Sequence, residues 1–175
     1  YNYLINKRLE GKNGIYNIES YFAEGGEAVL FKCTKDSIES SIYIAKIYVK
    51  RQMSKSMRKK YIDFLYRNNC AGIVPLLDFG VHNDIEFDVF PFIEKGDISQ
   101  IKNMSIMYIT KTLVPQINEI LRCIHSNGLV HGDINPRNIL LDDGNNILLH
   151  DFTSLNYVGN KKRGAYVRDV QATYG

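Results

Sequence analysis

The hydrophobic pattern of the chain changes near its middle, and this change limits the folds that the chain can adopt. Before residue 94, short β-prone runs alternate with turn signals such as Gly25-Gly26. These runs lie at residues 15–22, 28–33, 41–48, 76–82 and 85–92. After residue 97, apolar residues recur at spacings of three and four, as in an amphipathic helix. The pattern predicts an α+β fold, with a five-stranded antiparallel sheet in the first part and helices in the second.

Two helical stretches stand out. Residues 54–68 place apolar side chains at helical spacing between basic residues, which predicts one helix within the strand-rich part. Residues 106–126 carry the longest apolar stripe and end before Gly128, a typical stop signal. Pro115 lies inside this stretch and removes a backbone hydrogen bond, so we expect a kink or break near Leu113.

The remaining elements follow from turn chemistry and composition. Residues 139–141 and 147–149 are apolar runs joined by Asp, Gly and Asn residues, which predicts a hairpin. The sequence beyond Asp151 is polar and predicts a loop. The composition shift at residues 94–97 divides the 175 residues into domains 1–93 and 94–175.

Composition narrows the class of protein. With 45% hydrophobic and 23% charged residues, the chain is not of a disordered, collagen-like or coiled-coil class. It lacks the run of roughly 18 to 20 apolar residues that a membrane helix requires, and its net charge of +3 gives no argument for nucleic acid. We therefore expect neither a membrane segment nor a nucleic-acid partner. Cys33, Cys70 and Cys123 are odd in number and widely spaced, which predicts buried free thiols and a reducing, cytoplasmic setting.

Oxygen-bearing side chains gather on both sides of the predicted hairpin, in residues 131–138 (HGDINPRN) and 151–153 (DFT). Asp133 and Asp151 supply carboxylates and Asn138 supplies an amide, and Mg²⁺ prefers such oxygen ligands together with phosphate oxygens. Taken singly, each of these residues is more often a cap or turn residue. Their joint order and spacing favour a phosphate-transfer site.

With these motifs, the chain resembles a eukaryotic-like protein kinase from about residue 15 to residue 175. Residues 129–141 resemble the catalytic loop, and residues 151–153 stand where that family has Asp-Phe-Gly. The resemblance implies a bilobal fold, ATP and Mg²⁺ as cofactors, and phosphoryl transfer to protein Ser or Thr hydroxyls. It also implies that Asp133 orients the substrate hydroxyl and accepts its proton, while Asn138 and Asp151 hold Mg²⁺.

The same resemblance implies a set of nucleotide-binding residues. Lys46 matches the strand lysine that pairs with the α- and β-phosphates, although a lone strand lysine is more often a solvated side chain. The other residues implied to bind the nucleotide are Ala23, Gly25 and Gly26 in the glycine-rich loop, Val29, Ala45 and Leu140 around the adenine, and Pro91 and Ile93 in the hinge between the lobes.

Several positions depart from the pattern of the family. Ala23 and Ala28 replace two loop glycines, which predicts weaker nucleotide binding because a methyl group hinders close backbone approach to a phosphate. Tyr61 stands where the helix should offer a glutamate to Lys46, and Asp63 is the nearest acid. The other departures are Gly132 for arginine, Asn135 for lysine and Thr153 for glycine.

Two other functions stay open at this point. A small-molecule kinase fits because His-Gly-Asp followed by Asn five residues later also occurs among antibiotic- and sugar-phosphorylating relatives. A pseudokinase that binds nucleotide or acts as a scaffold fits the departures from the pattern. Residues 172–175 resemble the end of an activation segment, before the family's Ala-Pro-Glu motif. Without the elements that follow this motif in the family, the apolar face of the long helix would be incompletely covered. We therefore expect a second copy of the chain or another protein to bind to it.

Overall fold

The computed structural model describes residues 2–50, 53–67, 69–158 and 163–174. The chain divides into two compact units. The first contains Tyr1–Arg67 and Pro75–Phe92, and the second contains Asn68–Val74 and Ile93–Gly175.

The first unit is built on a six-stranded antiparallel sheet in the order β1-β2-β3-β4-β6-β5. Its strands are β1 (Arg8–Glu10), β2 (Ile15–Glu24), β3 (Ala28–Lys35), β4 (Ile38–Tyr48), β5 (Asp78–His82) and β6 (Ile85–Pro91). The five predicted strands are all present, and β1 adds a sixth by pairing with β2. Sequence periodicity missed β1 because a three-residue strand with one apolar side chain, Leu9, gives too short a pattern.

One face of the sheet carries the core of this unit. Alternate residues of β3, β4 and β6 point to this face and are fully buried, as expected for side chains with a period of two. Helix α1 (Lys55–Tyr66) begins after Ser54, whose side chain accepts a hydrogen bond from the Met57 amide. The helix buries Arg58, Tyr61 and Leu65.

The second unit combines helices with two small sheets. Its elements are α2 (Ile106–Tyr108), α3 (Val114–Ser126), β7 (Leu129–Val130), β8 (Ile139–Leu141), β9 (Ile147–Leu149), β10 (Asn156–Tyr157) and α4 (Arg163–Ala172). A π-helical turn, Ile109–Leu113, separates α2 from α3 and confirms the predicted break. Pro115 lies in the first turn of α3, where its missing N–H removes no helical hydrogen bond. Gly128 has a φ of 72° just after α3, as its stop signal predicts.

The β8–β9 hairpin confirms the interpretation of the two apolar runs, with Ile139 opposite Leu149 and Leu141 opposite Ile147. The prediction of a loop beyond Asp151 is wrong. Strand β10 pairs with β7, and helix α4 (Arg163–Ala172) lies within the segment beyond Asp151 that was predicted to be a loop.

The prediction of three free cysteines is also wrong. Cys70 and Cys123 form a disulfide across 53 residues of sequence, and only Cys33 is a buried free thiol among the described residues. The bridge attaches the segment before β5 to α3, and Ile73 in that segment pairs with Leu149. Residues 70–74 therefore belong to the second unit, although the composition of the sequence predicts that they belong to domain 1–93. None of the described helices has the length and apolar character needed to cross a membrane.

Candidate functional site

The loop between β7 and β8 holds the Asp133 carboxylate with two side-chain amides. Asn138 donates from Nδ2 to the Asp133 carbonyl oxygen at 2.8 Å and to its Oδ2 at 2.9 Å. Asn135 donates to Asp133 Oδ1 at 3.0 Å and accepts from the Arg137 amide, which caps the short 3₁₀ turn Pro136–Asn138. Each carboxylate oxygen of Asp133 thus has an amide donor, and the loop presents this group in one orientation.

Asn138 and Asp151 lie at the two ends of the same hairpin. The His150 amide donates to the Asn138 carbonyl oxygen at 3.0 Å, which extends the β8–β9 ladder by one pair. Asp151 follows immediately in a left-handed conformation, with a φ of 58°. The sequence alone could place these residues on a hairpin, but only the observed register brings their two backbones side by side.

The donor set fits a magnesium ion that takes most of its ligands from phosphate and water. Because Asn138 uses its amide nitrogen on Asp133, its amide oxygen is the atom that can ligate a cation. Asp151 adds a carboxylate, and Mg²⁺ is usually bound by one or two protein oxygens plus substrate phosphates. Within the described residues, no group of three His, Cys, Asp or Glu side chains forms a metal site of the all-protein kind.

Thr153 bonds the carboxylate of Asp151, which the sequence predicts to be a Mg²⁺ ligand. Its hydroxyl donates to Asp151 Oδ1 at 2.8 Å. A glycine at this position, as the family has, offers no such donor. The hydroxyl therefore competes with a cation for one oxygen of Asp151.

His131 braces the loop from inside the core. Its Nδ1 accepts from the Asp133 amide at 3.2 Å, and its Nε2 donates to the His150 carbonyl oxygen at 2.9 Å. The ring packs against Phe152, with centroids 4.6 Å apart. Burial lowers the pKa of His131, which favours the neutral tautomer that this bonding pattern requires.

Asp169 is a site residue that the sequence analysis missed. This buried carboxylate on α4 accepts from the amides of His131 at 2.8 Å and Gly132 at 2.9 Å, and its Oδ2 lies 3.1 Å from His125 Nε2. It therefore ties α4 and α3 to the start of the catalytic loop. Residues 163–172 have no apolar stripe that would have marked them as a buried helix, so no local signal pointed to Asp169.

Gly132 is required by the backbone. Its φ is 83°, and a Cβ at this position would lie 2.8 Å from the Ser154 carbonyl oxygen. Both features exclude a larger side chain without a shift of the loop. This explains why the arginine found in many family members is absent here.

In the first unit, Lys46 lies on β4 opposite Leu30 of β3 and Asp88 of β6. Its Nζ is 5.6 Å from the centroid of the Tyr48 ring. The turn at Gly25-Gly26 is closed by a 2.9 Å hydrogen bond from the Gly25 amide to the Ala28 carbonyl oxygen. A Cβ at either glycine would meet nothing within 4 Å, so the protein's own packing does not require glycine there.

The expected positions of Val29 and Ala45 need correction. Both lie in the buried apolar cluster on the face opposite Lys46, where they offer no surface to a ligand. The half-buried apolar residues that share the face of Lys46 are Leu30 and Ile44. Sequence alignment alone missed this because a shift of one residue in a strand moves a side chain to the other face.

The other predicted contact residues are distributed over both units. Ala23 lies near the end of β2, and Pro91 is the last residue of β6, opposite Tyr43. In the second unit, the Ile93 carbonyl accepts from the Gly96 amide at 3.2 Å. Leu140, in the same unit, is half-buried in β8 and pairs with Leu148.

Comparison with known proteins identifies the family. Residues 16–174 match the protein kinase domain. The chain belongs to the protein kinase family, and both the resemblance seen in the sequence and the predicted fold class are confirmed.

The chain is similar to serine/threonine-protein kinases over most of its length. It is 28% identical over 159 residues to serine/threonine-protein kinase PKH2 of Candida albicans, covering 85% of this chain and 17% of that protein. It is 28% identical over 155 residues to serine/threonine-protein kinase cds1 of Schizosaccharomyces pombe, covering 82% of this chain and 34% of that protein. The chain thus spans about a third or less of the length of these relatives.

Proposed function

We propose that this domain transfers the γ-phosphoryl group of ATP to a Ser or Thr hydroxyl of a protein. The observation that carries the proposal is the hydrogen-bonded loop that orients Asp133 beside Asn138, with Asp151 at the other end of the same hairpin. The family and the names of the similar proteins support the same reaction.

The predicted residues that are not buried in the apolar cluster of the sheet include those with proposed roles in this reaction. Asp133 orients the acceptor hydroxyl and accepts its proton, while Asn138 and Asp151 hold Mg²⁺ and Lys46 binds the α- and β-phosphates. Bound Mg²⁺ neutralises charge on the phosphates. The backbone at Gly25 and Gly26 approaches the phosphates. The adenine is bound by the Pro91 carbonyl and the Ile93 amide, with Leu140 against its ring. Catalysis is positioning and charge stabilisation, with no covalent step on the protein.

The Asp133→Asn variant tests the reaction. It removes the proton acceptor and keeps the shape of the side chain, so we expect transfer to fall by about a hundredfold or more. Transfer is measured with radiolabelled ATP and casein, and ATP binding is measured by thermal shift. Asp143→Asn, in the exposed turn of the hairpin, is the matched control. Full transfer by the Asp133 variant would refute the assigned role.

The two alternative functions give different results in the same assays. Transfer of the label to an added sugar or antibiotic, without labelling of any protein, would indicate a small-molecule acceptor. The hydroxyl of Thr153 on Asp151 favours a pseudokinase, because it weakens the metal ligand. No thermal shift at millimolar ATP with Mg²⁺ would support that scaffold function.

The partners and location of the protein are also proposals. A protein substrate follows from the family. A cytoplasmic location was predicted from unpaired cysteines, and the Cys70–Cys123 disulfide removes that support, so it now rests on the need for ATP. We still predict that the protein has no nucleic-acid partner. We also still predict that a dimer contact or another protein covers the helical unit. Sedimentation of the purified chain tests self-association.

A further inference from the structure

A buried polar network joins α1 to the sheet at Asp88, which is fully buried on β6. Arg58 of α1 binds this carboxylate with both terminal nitrogens, NH1 donating to Oδ2 at 2.9 Å and NH2 donating to Oδ1. Tyr61, also on α1, donates to Oδ2 at 2.9 Å, and Tyr48 of β4 donates to the same oxygen at 2.6 Å. Two residues of the helix and one of the sheet therefore converge on one carboxylate.

The position of this network connects it to the proposed phosphate-binding lysine. Asp88 is the direct cross-strand partner of Lys46, and paired side chains on adjacent antiparallel strands lie about 5 Å apart at Cβ. The ring of Tyr48 lies 5.6 Å from Lys46 Nζ and 5.3 Å from Arg58 Cζ. The residues that hold the helix are thus the neighbours of Lys46.

The network keeps one charge state. Burial acts to lower the pKa of Arg58, but its bonds to Asp88 and the charge of Asp88 outweigh burial and raise it. Burial, followed by the charge of Asp88, raises the pKa values of Tyr48 and Tyr61 well above the usual range for tyrosine. Arg58 stays cationic and both tyrosines stay protonated donors.

Stability alone does not explain such a cluster. Removing charges from water is costly, and apolar residues of similar volume often serve stability equally well. A bidentate pair with two further donors does, however, impose one orientation on the groups that it joins. The network is therefore suited to positioning.

We infer that Asp88 is a positioning residue for Lys46, and that Arg58 and Tyr61 dock α1 onto the same carboxylate. In this arrangement the acid beside the lysine belongs to the sheet, whereas the family places a glutamate on the helix, where this chain has Tyr61. The acidic neighbour of Lys46 therefore does not move away with the helix. The inference rests on the proposed function for its effect on ATP.

The decisive variant exchanges the ion pair for apolar residues, Arg58→Met together with Asp88→Leu. The exchange leaves no buried charge unpaired, but the hydroxyls of Tyr48 and Tyr61 lose Asp88 as acceptor and, 3.3 Å apart, can bond only each other, so we expect a folded variant of reduced thermal stability. We expect the KM for ATP to rise about tenfold, because Lys46 loses its carboxylate neighbour. A wild-type KM in this folded variant would overturn the inference.

A milder pair of variants covers the case in which the double variant does not fold. Tyr61→Phe removes one donor to Asp88, and Tyr66→Phe removes a hydroxyl from the same helix that bonds Asn13 instead. We expect the KM for ATP to rise two- to threefold in the first variant and to stay unchanged in the second. Equal KM values in both variants would overturn the docking role of Tyr61.

A measurement without ATP separates this inference from the proposed function. An amine-reactive ester acylates Lys46, and mass spectrometry of the peptide that contains Lys46 measures the rate. The rate is compared between the wild type, the Asp88→Asn variant and the Asp63→Asn variant. Asp63 lies on the exposed side of α1 and serves as the control. The Asp88 variant loses the carboxylate that holds the Tyr48 ring beside Lys46 Nζ, so we expect severalfold faster acylation in this variant only. An unchanged rate would overturn the role of Asp88. If the wild type neither binds nor uses ATP, the proposed function fails while this rate still tests Asp88.

Discussion

Hydrogen bonds around Asp133 and Asp151 assign different tasks to two chemically similar carboxylates. Asp133 receives two neutral amides, which orient it without adding charge. Asp151 receives the hydroxyl of Thr153 on one oxygen. The first arrangement suits the proposed proton acceptor, whereas the second weakens the proposed metal ligand.

Removing the Thr153 hydroxyl should therefore strengthen metal binding. In Thr153→Val, which keeps the branched shape, Oδ1 of Asp151 no longer receives this donor. Because a hydrogen bond to a charged group contributes roughly 1.5 to 3 kcal/mol and water replaces part of it, we expect a gain of about 1 kcal/mol, or about fivefold. The Mg²⁺ concentration for half-maximal activity at saturating ATP should fall accordingly. Thr110→Val, on a surface turn, is the control, and an unchanged or higher Mg²⁺ requirement would contradict the argument.

The burial of His131 makes stability depend on pH. Its folded-state pKa is lowered, so below about pH 6.5 the unfolded chain binds more protons than the folded chain. Stability from this residue is complete above pH 6.5 and is lost as the pH falls towards the folded-state pKa, by at most about 1.4 kcal/mol per pH unit. Urea unfolding between pH 5 and 8 measures this slope. The slope should become shallower in His131→Asn and persist in His82→Asn, and equal slopes in the two variants would contradict the assignment.

At the level of the elements, α4 supports the catalytic loop through one residue. Asp169 accepts two backbone amides of the loop, of which the His131 amide is buried and the Gly132 amide is partly buried. An unpaired buried donor costs roughly 1 to 3 kcal/mol. The helix is therefore attached at the point where the loop begins.

The Asp169→Ala variant should destabilise the protein by about 1 to 3 kcal/mol, because it leaves the buried His131 amide without an acceptor, whereas water can replace Asp169 at the partly buried Gly132 amide. Asp169→Asn keeps one acceptor and should cost less. Urea unfolding measures both changes. Gln171→Ala, on the exposed side of α4, should lie within about 0.5 kcal/mol of the wild type. Equal stability of the alanine and asparagine variants would show that the two amides do not depend on this carboxylate.

Sequence patterns predicted those elements whose signal is local. The alternation in β2 to β6 and the three- and four-residue spacing in α3 reflect the side chains of each element alone, so both were predicted. Helix α4 lacks an apolar stripe, since its buried contact is a charged residue bonded to a distant loop. The faces of Val29 and Ala45 depend on register, which a resemblance in sequence determines only to within a residue. The network at Asp88 joins three elements, and no sequence spacing indicates such a cluster.

For the molecule as a whole, the disulfide is the largest departure from expectation. It closes a loop of 53 residues of sequence separation, and closing such a loop in the unfolded chain stabilises the fold by about 4 kcal/mol in the chain-entropy description. The oxidised and reduced proteins should therefore differ in stability more than any single surface variant does.

Breaking the bridge should lower the free energy of unfolding by about 4 kcal/mol in Cys70→Ser. Urea unfolding with and without a reductant gives the same comparison in the wild type. Thiol titration is the accompanying control. We expect no reaction in the native oxidised protein, because burial raises the pKa of Cys33 to about 12, and one thiol after denaturation. Three thiols in the denatured, unreduced protein would contradict the pairing.

The disulfide also limits how far the chain can be extended by force. The stretch between Cys70 and Cys123 contains β5 and β6 of the first unit. A disulfide whose two cysteines belong to the second unit therefore closes a loop of sequence that includes two strands of the first unit. A force applied to the chain ends cannot extend this stretch while the bond is intact. Full extension of the oxidised chain should therefore fall short of that of the reduced chain by about 185 Å, which is the contour length of 53 residue steps less the distance across the bridge.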